Sequence, residues 1–119
     1  MNKKYELTEN RVEVGGRTLY QIRAVRSFSN VNEGDLGGWI ATEDNLSHDG
    51  DCWVFENAWV CDDAKVYGSA KVYGNAWVYG EAWVSGDAEV YGDACVYGKV
   101  WVHGDTKVYG RARLSARNY

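Results

Sequence analysis

From Cys52 onward the sequence advances in steps of six. Valine or leucine recurs at Val54, Val60, Val66, Val72, Val78, Val84, Val90, Val96, Val102, Val108 and Leu114. Two residues before each stands a small or modest residue, from Cys52 and Ala58 through to Thr106 and Ala112. Two residues after each, from Gly68 to Gly110, stands glycine. The unit is Ala-x-Val-Tyr-Gly-x, and its copies fill positions 52–116. A helix scatters positions i and i+6 around its axis, so a strict six-residue step is not helical. The Ala-x-Val stretch alternates as a short strand does, and glycine supplies a turn. Strands this short, separated by so few residues, leave no room for successive hairpins. They suit a coil that climbs and pairs with itself, a parallel β-helix.

The run AKVYGSAKVYGNAWVYGEAWVSGDAEVYG resembles the hexapeptide-repeat, left-handed β-helix family. The segment GDLGGWIATEDNLSHDGDCWV, from Gly34 to Val54, is similar to a group of phage and bacterial hexapeptide proteins with a short β-rich head. The resemblance implies an all-β, left-handed parallel β-helix with three hexads per triangular turn, so that residues 18 apart stack. The expected organisation is a β-hairpin cap over residues 1–33 and a solenoid over 34–119, its regular part running from about 36 to 116. At ~4.8 Å per stacked strand the repeats make a rod of roughly 17 Å. An imperfect extra coil is expected upstream, with Ile40 and Leu46 on the alanine register and Leu36, Thr42 and His48 on the valine register.

The alternation assigns faces. Alanine and valine point inward. All twelve aromatic residues between Asp51 and Ala116 fall on the two slots flanking valine. Trp53, Trp59, Trp77, Trp83 and Trp101 precede it; Phe55, Tyr67, Tyr73, Tyr79, Tyr91, Tyr97 and Tyr109 follow it. An 18-residue pitch makes Phe55, Tyr73, Tyr91 and Tyr109 one ladder. It stacks Trp59 on Trp77 with Tyr79 and Tyr97 beside them, and Trp83 on Trp101. Such ladders stabilise strand stacking, and apolar area on this scale also suits a partner or a second copy. Lys65, Lys71, Glu89, Lys107 and Arg113 interleave with the rings.

Residues 1–33 break the period. Tyr5–Leu7, Arg11–Val14 and Thr18–Val25 read as short strands, with Gly15-Gly16 as a hairpin turn. A β-helix leaves pairing edges at its ends, and the head is expected to cover the first coil. The basic cast of Arg11, Arg17, Arg23 and Arg26 admits the alternative of a partner-binding module. Gly37-Gly38 reads as a turn.

The 119 residues carry a net charge of -4. That balance argues against binding duplex nucleic acid, which needs a basic patch. No run approaches the roughly 18 apolar residues of a membrane span, and MNKKYE has no apolar stretch behind its lysines. The expected compartment is therefore the cytoplasm. Three cysteines without a CxxC pair suggest neither a disulfide framework nor a zinc site. Cys52 falls inward; Cys61 and Cys95 fall outward and out of register for a disulfide. No cofactor and no metal are expected: a three-histidine zinc site is short of ligands in a chain with only His48 and His103.

Acyl transfer is the activity the resemblance brings with it, with a histidine on the coil as general base and an acyl-CoA or acyl carrier protein between subunits. His103, on an outward slot after Val102, is the candidate; a substrate loop to accompany it is missing. His48 is expected to be a structural hydrogen-bonding residue. The expected function is a non-enzymatic interaction or assembly protein, phage-encoded and binding or inhibiting a bacterial host defence component. A minimal acyltransferase is the alternative, and a glycan-binding surface of Trp and Tyr platforms the third. A homo-oligomer is expected, trimer first and dimer second. Its interface is expected on the Phe55–Tyr73–Tyr91–Tyr109 ladder, with the tryptophan stacks left for a foreign partner.

Overall fold

A computed structural model describes residues 3–115. The period becomes a β-solenoid of three sheets, with no α-helix among the described residues. Two longer strands come first, β1 (Tyr5–Val14) and β2 (Arg17–Ala24), followed by β3 (Leu36–Ile40) and a single 3₁₀ turn at Glu43–Asn45. Short strands then repeat every six residues: β4 (Trp53–Val54), β5 (Trp59–Val60), β6 (Lys65–Val66), β7 (Lys71–Val72), β8 (Trp77–Val78) and β9 (Trp83–Val84). They continue as β10 (Glu89–Val90), β11 (Cys95–Tyr97), β12 (Trp101–Val102), β13 (Lys107–Val108) and β14 (Arg113–Ser115).

Every third strand pairs in parallel. One face is β4-β7-β10-β13, a second β6-β9-β12, and the third β3-β5-β8-β11-β14 with the hairpin added beyond β3. The register is the expected 18-residue pitch: Val54 opposes Val72, Val72 opposes Val90, and Val90 opposes Val108. Backbone amides donate down the rod from coil to coil, as from Trp59 N–H to the Ala76 carbonyl and from Ser85 N–H to the Val102 carbonyl. The alanine and valine columns point inward and are fully enclosed from Ala58 to Val96. Thr106 and Ala112, inward by register, are exposed in the last described coil.

The first coil departs from the expected register. Ile40 opposes Val60 and Leu46 bridges Val66, each 20 residues on, so both occupy valine positions rather than alanine positions. Val54 has returned to the 18-residue pitch. The two extra residues lie between Leu46 and Val54, in the widened corner that carries His48. That histidine is therefore in a turn and not in an inward slot. Gly37-Gly38 is not a turn either. Both lie within β3, where a Cβ on Gly37 would stand 2.6 Å from the Val54 carbonyl and one on Gly38 2.5 Å from that of Ala58. Only glycine lets the first coil approach the second this closely.

The hairpin turns at Gly15-Gly16, both at positive φ, with Val14 opposite Arg17. The two expected segments Tyr5–Leu7 and Arg11–Val14 are one strand, with its register interrupted between Leu7 and Arg11. Because β2 runs antiparallel to β3, head and solenoid share a sheet. Tyr5, Ile22, Ala24, Phe28 and Val31 join the solenoid core. They enclose Trp53, which is 1% exposed with its ring edge-on to Phe28 at 5.2 Å and to Tyr5 at 6.1 Å. Trp53 occupies an outward slot of the repeat, and the head closes over it.

Candidate functional site

The lateral faces carry the side chains that the repeat does not need for its core. In the corner after the four-stranded face, Tyr73 and Tyr91 stack at 4.8 Å and 3°, and Tyr91 and Tyr109 at 5.4 Å and 13°. Phe55 meets Tyr73 edge-on at 6.3 Å. The ladder is thus continuous, with its first step T-shaped. On the hairpin face Trp59 stacks on Trp77 at 4.5 Å and Tyr79 on Tyr97 at 5.2 Å. Trp39 is opposite Trp59 in backbone register, but no ring contact joins the two among the described residues. The six-residue pattern misses Trp39 because it sits in the slipped first coil.

The third expected stack does not form. Trp83 and Trp101 are paired in backbone register, but no ring contact joins them among the described residues. Trp101 leans on His103 at 4.5 Å, and its indole N–H donates to the Ser85 hydroxyl at 2.7 Å. Trp83 meets Tyr67 edge-on at 6.3 Å. Ser85 stands where neighbouring repeats have tyrosine, and its hydroxyl oxygen accepts the indole N–H in a bond that competes with stacking. The two indoles are left open, Trp83 at 44% and Trp101 at 57% exposure; Trp77 and Tyr109 are exposed too.

Polar groups frame these rings. The Tyr73 hydroxyl donates to Glu89 at 2.6 Å, and Lys107 pairs with the same carboxylate at 3.2 Å. The tyrosine bond, with the lysine behind it, holds the Glu89 carboxyl below its usual range; burial, then Glu89, pushes the Tyr73 phenol up. An open cleft of about 330 Å³ runs between the head and this ladder, lined by Asn30, Phe55, Glu56, Lys71, Tyr73 and Glu89. Beside Trp83 an open groove of about 360 Å³ is lined by Asp63, Lys65, Glu81 and Lys99.

The candidate catalytic group fares differently. His103 is exposed, and no carboxylate or carbonyl among the described residues hydrogen-bonds its ring. A general base needs such an orienting partner to fix its tautomer. His48 is held on both ring nitrogens. Nδ1 accepts the Lys4 backbone N–H at 3.1 Å, and Nε2 lies 2.8 Å from Glu43. Its ring stacks on Tyr5 at 4.1 Å, so it joins head to coil, as its expected hydrogen-bonding role requires. No group of three or more His, Cys, Asp or Glu among the described residues could hold a metal ion. No helix among them is long and apolar enough to cross a membrane.

All three cysteines are free. Cys61 is not exposed as its outward slot suggests but fully buried, at the corner where Arg17 pairs with Asp62. Burial, with Asp62 beside it, pushes its thiol up to about 12. Sequence reasoning also missed Lys4. It is fully buried, donating to the carbonyls of Cys52 at 2.6 Å and Gly50 at 3.2 Å. Nothing in MNKKYE distinguishes it from the neighbouring solvent-facing Lys3.

A family model described as the YdcK beta solenoid repeat matches residues 70–86 and 88–104. The chain carries a β-solenoid repeat. The two matched segments fall on the regular middle of the rod, from β7 to β12. No curated protein matches the chain.

Proposed function

We propose that the chain is a non-enzymatic interaction and assembly protein whose lateral aromatic columns are its binding surface. The observation that carries this is the exposure of large rings along a rod already stabilised by its backbone ladder. Trp77, Trp83, Trp101 and Tyr109 stand between 40% and 59% exposed, and apolar rings framed by ion pairs are the composition of a protein interface. The chain self-associates through the Phe55–Tyr73–Tyr91–Tyr109 ladder, trimer first and dimer second. The open tryptophans, Trp83 and Trp101 above all, take a foreign protein. In the reading that the Gly34–Val54 segment suggests, that protein is a bacterial host component, met in the cytoplasm by a phage-encoded binder or inhibitor.

A Tyr73→Asp/Tyr91→Asp double variant tests the choice of face: its assembly state falls to single chains by light scattering. A variant that keeps the wild-type assembly moves the interface elsewhere. Acyl transfer is separated by its own assay. Acetyl-CoA and a panel of hydroxyl and amine acceptors give no turnover that depends on His103, whereas transfer abolished by His103→Ala replaces this function with the enzymatic one. The unstacked Trp83, flanked by Lys65, Lys99, Asp63 and Glu81, favours one second function, a platform for a sugar ring. Quenching of indole emission by oligosaccharides, lost in Trp83→Ala, would support it.

A further inference from the structure

Lys4, just before β1, and Cys52, just before β4, meet inside the molecule. Both are 0% exposed, and Lys4 Nζ lies 3.3 Å from Cys52 Sγ. The amine is fixed there by the Cys52 and Gly50 carbonyls, with the Phe28 ring 4.9 Å away. The sulfur is fixed by its own short side chain and by the Ser47 carbonyl, 3.5 Å from Sγ. We propose that these two residues form a reversible covalent bridge, Nζ–O–Sγ, in which one oxygen atom links amine to sulfur and staples the head to the first coil.

The geometry favours an inserted oxygen over a direct bond. At 3.3 Å the two atoms are in contact but not bonded; a direct bond would draw them much closer than a one-oxygen bridge does, so the bridge asks for the smaller movement of the lysine side chain. The oxidant is dioxygen, small and apolar enough to enter a core. Thiol, neutral amine and O₂ give the bridge and one water. The S–H bond and one N–H bond break, and S–O and O–N bonds form. The second oxygen leaves as water with two of the three hydrogens on sulfur and nitrogen, and the third stays on nitrogen. Sulfur and nitrogen each lose two electrons, which accounts for the four that O₂ accepts. The remaining N–H still has the Cys52 carbonyl as acceptor. Burial lowers the Lys4 pKa, which favours the neutral amine the reaction needs. Burial also raises the Cys52 thiol while Lys4 beside it opposes that shift, so the thiolate fraction is small and the oxidation is slow. Neither of the other cysteines has an amine bonded to its sulfur among the described residues; Cys61 has Arg17 and Asp62 beside it instead.

The test uses the full chain, purified in dithiothreitol, freed of reductant and held in air-saturated buffer. Intact mass is expected to rise by one oxygen less two hydrogens. Digestion then yields a linked pair of peptides containing Lys4 and Cys52, which dithiothreitol separates into their unmodified forms. Thermal unfolding of the oxidised sample is expected at a higher midpoint than that of the reduced one, and Lys4→Arg yields no linked pair. Cys95, partly exposed, reports that oxidation has taken place. If Cys95 is oxidised while Cys52 is recovered as a free thiol, or as a sulfinic acid with Lys4 unlinked, the bridge does not form. The wild-type peptide map decides this even if the lysine variant does not fold.

Discussion

At the scale of single residues, the corners of the rod show what six-residue coils demand. Each corner needs one residue in the left-handed region. Glycine serves at most of them; Gly80, at φ +70, would place a Cβ 2.8 Å from the Gly98 nitrogen. Glu56 and Asp62 adopt the same conformation at φ 59 and φ 58. Their carboxylates compensate by accepting the N–H of Gly74 at 2.8 Å and of Gly80 at 3.1 Å, one coil on. Gly80→Ala is therefore expected to lower stability by about 1–2 kcal/mol from the backbone conformation alone, measured by denaturant unfolding; an unchanged midpoint would contradict the corner geometry. Val78 sets the other limit. It is fully buried between Val60 and Val96. Val78→Asp places an unpaired charge there at a cost of several kcal/mol and is expected to unfold the chain. Lys71→Ala, on the outer surface of the same coil, stays within about 0.5 kcal/mol of wild type. Equal melting temperatures for Val78→Asp and wild type would overturn the inward register.

At the scale of elements, the head is tied to the solenoid by polar bonds around a small apolar seam. Arg17 grips Asp62 with two hydrogen bonds, at 2.6 and 3.0 Å, and Tyr5 donates to the carbonyls of Leu46 and Glu43. The Arg17 bonds hold the Asp62 carboxyl below its ordinary range, and the His48 bond does the same for Glu43. A carboxylate whose pKa is depressed in the folded state stabilises fully above its unfolded pKa. That contribution is lost as pH falls through the folded one. Acid is therefore expected to loosen the tie between head and solenoid, seen as protection of the β1 and β2 amides that falls between neutral and acid pH; protection unchanged over that range would contradict this. Arg17→Ala is expected to cost no more than about 1 kcal/mol, because the pair is partly exposed.

What was legible in the sequence follows from the same division. Where the six-residue unit repeats without interruption, backbone pairing has one solution, so the register from Val54 to Leu114, the inward columns as far as Val96 and the Phe55–Tyr109 ladder could be read. Two extra residues near His48 shift Ile40 and Leu46 by two positions, and nothing in NLSHDGDC marks which corner absorbs them. Trp53 sits on an outward slot like any other, and only the folded head shows that it is covered. Trp101 departs from its stack because the Ser85 hydroxyl oxygen accepts its indole N–H. That choice depends on side-chain rotamers, which a periodic pattern does not encode.

At the scale of the whole molecule, the rod is a small domain with a narrow core, and its surface is large for the volume it encloses. Closed symmetry is the usual way such chains cover self-complementary faces. In the proposed assembly the stacked tyrosines are the column that the copies bring together around one axis, with the Glu89–Lys107 pair beside it. Light scattering on the intact chain at micromolar concentration in physiological salt decides whether this surface is an interface. A mass three times the 13.4 kDa of one chain, or twice it as the second choice, is the predicted result. A mass equal to a single chain across that concentration range would contradict it.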